Sequence, residues 1–213
     1  MSRGALNTDE MPSTPITKTI YVDMDDVLCE TARGLLLIIE REFGKKLTYE
    51  QLNSFDVGRA CGLEIQEVTE LFRIAHHPDE LLGMAPIEEA VGVLQQWSDA
   101  GHEIAIVTGR PPPTYEASIE WLARHRLPYH AFIMVDKYGR FPTENTAAIT
   151  LSELSVRQFC LAVEDSPTMA KFLAGEMRVP VALLDRPWNR DAEHALIGRY
   201  RDWHEIARAL AKK

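Results

Sequence analysis

The sequence predicts an α/β protein: a doubly wound parallel sheet with helices on both faces and a small helical cap inserted after the first strand. Short β-type apolar runs alternate with segments of helical periodicity, the pattern of strand–helix–strand crossovers. The runs are apolar at successive positions instead of every second one, which marks strands buried on both faces. Between the first strand and the second, the chain carries roughly 45 residues more than a crossover needs, and they show only helical periodicity.

The first run, Ile20-Tyr21-Val22, stops on Asp23, Asp25 and Asp26. Glu30 to Phe43 places Ala32, Leu35, Leu36, Ile39 and Phe43 at helical spacing, and Gly44 suits its C-terminal cap. Lys45 to Gly83 reads as short helices: Thr48 caps one, and Ile65, Val68, Leu71, Phe72 and Ala75 form the apolar stripe of another. Pro86 suits the first turn of a helix carrying Ile87, Ala90, Val91, Leu94 and Trp97, and Ala100-Gly101 stops it.

Glu103–Val107 is the second strand, ending at Thr108-Gly109-Arg110. Pro111 to Pro113 hold the chain extended before a helix over Tyr115–Arg126. Ala131–Val135 runs into Asp136-Lys137 as the third strand, and Ile149–Val156 is a short helix. Phe159–Val163, ending at Glu164-Asp165-Ser166, is the fourth strand. A helix over Pro167–Ala174, a strand over Val179–Leu184 and a last helix from about Gly198 to Leu210 complete the chain. The expected division is a flexible tail (1–15), a core (16–30 and 84–213) and a helical cap (31–83).

At 213 residues the chain fits one α/β domain with a modest insertion. Its net charge of −9 argues against binding a nucleic-acid polymer, which needs basic surface. A small phosphorylated substrate remains compatible, because a local cation can invert the field. No apolar run reaches the roughly 18 residues of a membrane span, and the polar first fifteen residues do not read as a signal peptide. Cys29, Cys61 and Cys160 are scattered and odd in number, which fits a cytoplasmic protein without structural zinc.

In a parallel sheet the polar strand ends Asp23/Asp25, Thr108, Lys137 and Glu164/Asp165 share one edge, where α/β proteins bind ligands. Crowded carboxylates there repel one another unless a cation compensates. Capping the next helix would account for one of the three opening aspartates, not all of them. Oxygen ligands of this kind suit a hard dication such as Mg²⁺, while a hydroxyl and an ammonium suit phosphoryl oxygens. Asp23 and Asp25 point to the same side of an extended strand. The one nearer a cation should stay ionised, and its neighbour, farther from the ion and beside the first negative charge, should hold a proton more readily.

The motifs IYVDMDD, IAIVTGR, a lone Lys137 and LAVEDS occur in this order along nearly the whole chain. They resemble the four motifs of the haloacid-dehalogenase-like phosphohydrolases, whose core is a Rossmann-like sheet. That resemblance implies a phosphomonoesterase in which Asp23 is the nucleophile, forming an aspartyl-phosphate, and Asp25 the acid and then the base. It implies Mg²⁺ held by Asp23, the Asp25 main-chain carbonyl and Asp165, with Glu164 ligating directly or through water. Thr108, Gly109 and Lys137 would hold the phosphoryl group.

The cap position, DMDDVLCET and Leu184-Asp185-Arg186-Pro187-Trp188-Asn189-Arg190 look like the 5′(3′)-deoxyribonucleotidase group. A (deoxy)nucleoside monophosphate is then the expected substrate. A sugar-phosphate phosphatase or phosphomutase is the alternative, and a receiver-like phosphoacceptor module a remote one. Phe55, Arg110 and Tyr115 are candidates for touching the rest of the substrate. Phe72 reads as core, as do the tryptophans other than Trp188. Adjacent His76 and His77 face apart and do not form a metal pair.

Overall fold

The computed structural model describes residues 18–141 and 147–210. The expected N-terminal tail and Lys212-Lys213 lie outside them. Strands β1 (Thr19–Val22), β2 (Glu103–Thr108), β3 (Ala131–Met134), β4 (Leu161–Glu164), β5 (Val181–Leu184) and β6 (Ile197–Tyr200) form a single parallel sheet. Their order is β3-β2-β1-β4-β5-β6. The chain therefore winds outward from β1 in one direction, then returns to start again at β4 on its other side. That reversal opens a crevice at the carboxyl ends of β1 and β4.

Strand pleating sorts the apolar side chains into two layers. Ile20, Val22, Ile104, Ile106, Leu161, Val163, Ala182 and Leu184 face one cluster. Tyr21, Ala105, Val107, Ala162, Val181 and Leu183 face the other. Helices α5 (Glu88–Asp99), α6 (Tyr115–Arg124) and α9 (Trp203–Leu210) cover the first layer through Leu94, Trp121 and Ile206. Helices α7 (Leu151–Ser155) and α8 (Pro167–Gly175) cover the second through Leu154 and Leu173. Two fully buried tryptophans also tie loops to this scaffold. The Trp121 indole donates to the Met84 carbonyl and the Trp203 indole to that of Val27, each at 2.8 Å.

Between β1 and α5 lie α1 (Thr31–Phe43), a 3₁₀ turn (Tyr49–Gln51), α2 (Val57–Cys61), α3 (Ile65–Ala75) and α4 (Pro78–Gly83). Gly44 ends α1 in the left-handed region at φ 65°, which its missing Cβ permits. Ala32, Ile38, Ile39, Leu52, Cys61, Leu71 and Ala75 make a third cluster of their own. Leu81 of α4 joins the sheet cluster instead.

Several expectations need correction. Ile197–Tyr200 is an edge strand, not the start of the last helix, which begins at Trp203. Its Gly198 and Arg199 lack the apolar signature because an edge strand is only half covered. Pro112–Thr114 tightens into a 3₁₀ turn where the prolines were expected to stay extended. Phe72 is half-buried and stacks on the His76 ring, outside that third cluster. Helical spacing identified its face, but not what lies opposite.

Candidate active site at the carboxyl edge of the sheet

Asp23 sits one residue past β1 and remains in the ladder, its amide donating to the Val163 carbonyl at 3.0 Å. This fixes it at the β1–β4 junction. Tyr21 shares its face of the strand, and the Tyr21 hydroxyl donates to Glu164 Oε1 at 3.1 Å. Lys137, 4% exposed, donates to Asp23 Oδ1 at 2.7 Å and to Glu164 Oε1 at 2.9 Å. Gly109 makes room for it: a Cβ there would stand 3.1 Å from Lys137 Cδ.

Asp23, Glu164 and Asp165, all buried, each offer an oxygen within 4.8 Å of the others. Glu164 is already satisfied. Besides Tyr21 and Lys137 on Oε1, its Oε2 accepts the amides of Asp165 and Ser166 at 2.7 and 2.8 Å. Glu164, expected to ligate a cation directly or through water, lies in this cluster, and its four hydrogen bonds anchor Lys137 and the turn after β4. Among the described residues, the side-chain donors grouped for a cation are carboxylate oxygens of Asp23, Glu164 and Asp165. An all-oxygen set without His or Cys fits a hard dication.

Electrostatics point the same way. Burial, then repulsion from Glu164, raises the Asp23 carboxyl to about 7 against the pull of Lys137. Burial, followed by Glu164 and Asp23, holds Asp165 well above the usual range. Burial alone would lower Lys137, but Asp23 and Glu164 more than offset it, and the ammonium lies well above its ordinary value.

Asp25 lives in a different environment. Arg110 Nε lies 3.0 and 3.2 Å from its two oxygens, Arg110 Nη2 2.7 Å from Oδ1, and the Thr31 hydroxyl donates at 2.5 Å. Burial pushes Asp25 upward, but the charge and hydrogen bonds of Arg110, aided by Thr31, hold it below the ordinary value. In the metal-free protein Asp25 is thus the stronger acid of the two, whereas the expectation from spacing concerned the pair beside a cation. The cause is Arg110, whose backbone is 85 residues away in sequence and whose side chain folds inward. Its third nitrogen, Nη1, donates to Ser118 Oγ at 3.2 Å, so all three guanidinium nitrogens have partners within the protein.

Thr108 is fully buried, and its hydroxyl accepts the Arg110 amide at 3.1 Å. Asp26 supports the first turn of α1, whose N-cap residue is Glu30. With Asp26 at φ 56°, the Asp26 carboxylate oxygens accept the Ala32 amide at 3.0 and 3.1 Å. Two of the three opening aspartates are left for chemistry.

Phe55, 39% exposed, lies with its ring 5.6 Å from that of Tyr138, the residue after Lys137. Tyr138 in turn donates to Ser166 Oγ at 3.1 Å. Phe55 therefore overhangs the Lys137 loop. Tyr115 makes an edge-to-face contact with the Phe132 ring and is 43% exposed. Lys171 is exposed in α8, unlike buried Lys137.

Other participants carried no sequence signal. His76, which spacing excluded only from a metal pair, has Asp25 and Arg110 as charged neighbours, and burial lowers its imidazole. Tyr21, Thr31, Ser118 and Tyr138 sit among apolar or loop residues with nothing in their spacing to mark them. The string after β5 stands out in the sequence, but its contacts do not. Arg186 donates to the Asp26 carbonyl at 2.7 and 3.1 Å, and Asn189 to the Asp165 and Leu184 carbonyls at 2.7 and 2.8 Å.

Comparison with known proteins gives this geometry a family. The model of the family described as "5′ nucleotidase, deoxy (Pyrimidine), cytosolic type C protein" matches residues 17–143, more than half of the chain. A Halalkalibacterium halodurans protein, named provisionally as a nucleotidase, is 25% identical over 189 residues, covering 88% of this chain and 90% of its own. A provisionally named nucleotidase of Bacillus cereus is 21% identical over 194 residues, covering 90% and 97%.

Among solved structures, a haloacid-dehalogenase-family hydrolase from Deinococcus radiodurans with bound phosphate and sodium has a TM-score of 0.57 at 18% identity, covering 92% of this chain and 96% of its own. A Mycobacterium tuberculosis structure described as protein tyrosine kinase A has a TM-score of 0.66 at 14% identity, covering 91% and 98%. Such likenesses speak for the shared fold, which hosts more than one chemistry. The sequence match carries the function further: the chain belongs to the 5′ nucleotidase, deoxy, cytosolic type C family of haloacid-dehalogenase-like proteins and is a phosphoric monoester hydrolase.

Proposed function

We propose that the protein hydrolyses a (deoxy)nucleoside monophosphate with Mg²⁺, through an aspartyl-phosphate on Asp23. The observation that carries this reading is the convergence of Asp23, Lys137 and Asp165 in one buried, negatively charged cluster. Asp23 and Asp165, with the main-chain carbonyl of Asp25, are the proposed cation ligands. The ion supplies compensation for the carboxylates and for the incoming phosphate dianion.

In the proposed first step an Asp23 oxygen attacks phosphorus in line, and the ester P–O bond breaks. Asp25 gives a proton to the departing alkoxide. A phosphate dianion beside Asp25 adds negative charge and so favours that proton on a carboxyl otherwise kept ionised by Arg110. Thr108, the Gly109 amide and Lys137 hold the phosphoryl oxygens, where positioning and charge compensation matter most. In the second step Asp25 takes a proton from water, the water oxygen attacks phosphorus, and Asp23 is released with free phosphate.

The helical segment 31–83 is the proposed cap over this edge, with Phe55 as its contact to the Lys137 loop. Phosphate release across a panel of nucleotides, sugar phosphates and phosphoglycolate, with and without Mg²⁺, tests the proposal. Mg²⁺-dependent turnover with nucleoside monophosphates preferred supports it. A preference for sugar phosphates, or phosphate transfer to a sugar without net release, contradicts it.

A further inference from the structure

The four tryptophans do not make equivalent contacts. Those at 121 and 203 are fully buried and donate to main-chain carbonyls, as structural indoles commonly do. Trp188 is half-buried, and its Nε1 donates to a carboxylate, Asp165 Oδ2, at 2.8 Å. Among the described residues Asp165 Oδ1 accepts no hydrogen bond. The next residue fixes the backbone of the same aspartate, because Asn189 Nδ2 donates to the Asp165 carbonyl at 2.7 Å. One loop after β5 therefore holds Asp165 at two atoms.

The other side of the indole belongs to the cap. Trp188 packs against the apolar cluster of residues 32–75, with the Tyr49 ring edge-on at 5.6 Å and 66°. The Arg33 guanidinium lies 4.8 Å from the Tyr49 ring centre. An indole suits this place. It is a donor only, so it can orient a carboxylate without competing for the cation, and its rigid ring fixes the direction of the N–H.

We propose that Trp188 is a positioning residue for the cation, its indole N–H holding Asp165 so that Oδ1 faces the metal. This rests on the reading of Asp23 and Asp165 as ligands. A donor behind a ligating carboxylate sets its orientation, and losing such a partner typically weakens metal affinity about 10- to 100-fold.

Calorimetric titration of Mg²⁺ into metal-free wild type, Trp188→Phe and Asp165→Asn tests it. Phenylalanine keeps an aromatic ring against Tyr49 and removes the N–H. The expected result is Mg²⁺ affinity weakened about tenfold in Trp188→Phe, with its melting temperature in EDTA close to wild type. A folded Trp188→Phe with affinity within about twofold of wild type overturns the proposal while leaving the ligand assignment in place. Equal binding by wild type and Asp165→Asn, or none by either, overturns the ligand assignment and this inference with it.

The unmutated protein supplies a second readout that needs no variant to fold. The indole ¹H–¹⁵N resonance of Trp188 should move during the Mg²⁺ titration with the calorimetric midpoint. A resonance unmoved at saturation overturns the proposal.

Discussion

At the β1–β4 junction three buried carboxylates face one ammonium, whereas two residues further along Asp25 has a guanidinium to itself. The first arrangement leaves excess negative charge in a desolvated place, and the carboxyls of Asp23 and Asp165 are raised in consequence. The second is locally balanced, and Asp25 is lowered. The contrast separates two roles for nearly adjacent aspartates. A cation at the junction would offset the crowded carboxylates, whereas Asp25 already has Arg110. Removing a partner from each region should therefore have different consequences.

The largest effect should come from the junction. Asp23→Asn should lower phosphate release on the order of 10⁴-fold or more, as expected for loss of a nucleophile. Near-normal turnover in a steady-state assay would remove Asp23 from that role. Arg110→Met should act on the balanced region, costing about 2–3 kcal/mol of stability because it leaves the Asp25 charge without its partner. Chemical denaturation checks this, and an unchanged midpoint would mean that the pair contributes little. Gly109→Ala should lower turnover roughly tenfold, since its Cβ must displace Lys137 from a 3.1 Å approach by a few tenths of an ångström. The same rate in both proteins would show that Lys137 can yield freely.

The smallest effect is a pH dependence. In EDTA, Asp23 has a folded-state value of about 7, above its ordinary value of 3.8. Between those values the folded protein binds more protons than the unfolded one, so its stability should fall as pH rises through this window. Saturating Mg²⁺ should flatten that slope by compensating the ionised carboxylates. Calorimetric melting at several pH values checks the sign; stability rising through the window in EDTA would contradict it.

Much of the sheet was legible because parallel strands covered on both faces must be apolar at consecutive positions, as Ile20–Val22 and Ile104–Val107 are. The polar groups closing those runs were legible for the same reason, since little else in a buried strand explains them. β6 was not, because a half-covered edge strand containing Gly198 and Arg199 has no such pattern. The environment of Asp25 was hidden too. It depends on the path of the long Arg110 side chain, and spacing says nothing about that. Trp188 stood out as part of a string, but its partner Asp165 lies 23 residues back and only the fold brings them together.

The comparison between the two aspartates meets its most direct test in Mg²⁺ calorimetry on metal-free Asp23→Asn, Asp165→Asn and Asp25→Asn. The proposed ligands are the side chains of the first two and only the main chain of the third. Asp23→Asn and Asp165→Asn should therefore lose the binding isotherm, while Asp25→Asn keeps a site close to that of the wild type. Retention of full affinity by Asp165→Asn, or its loss in Asp25→Asn alone, would contradict the account.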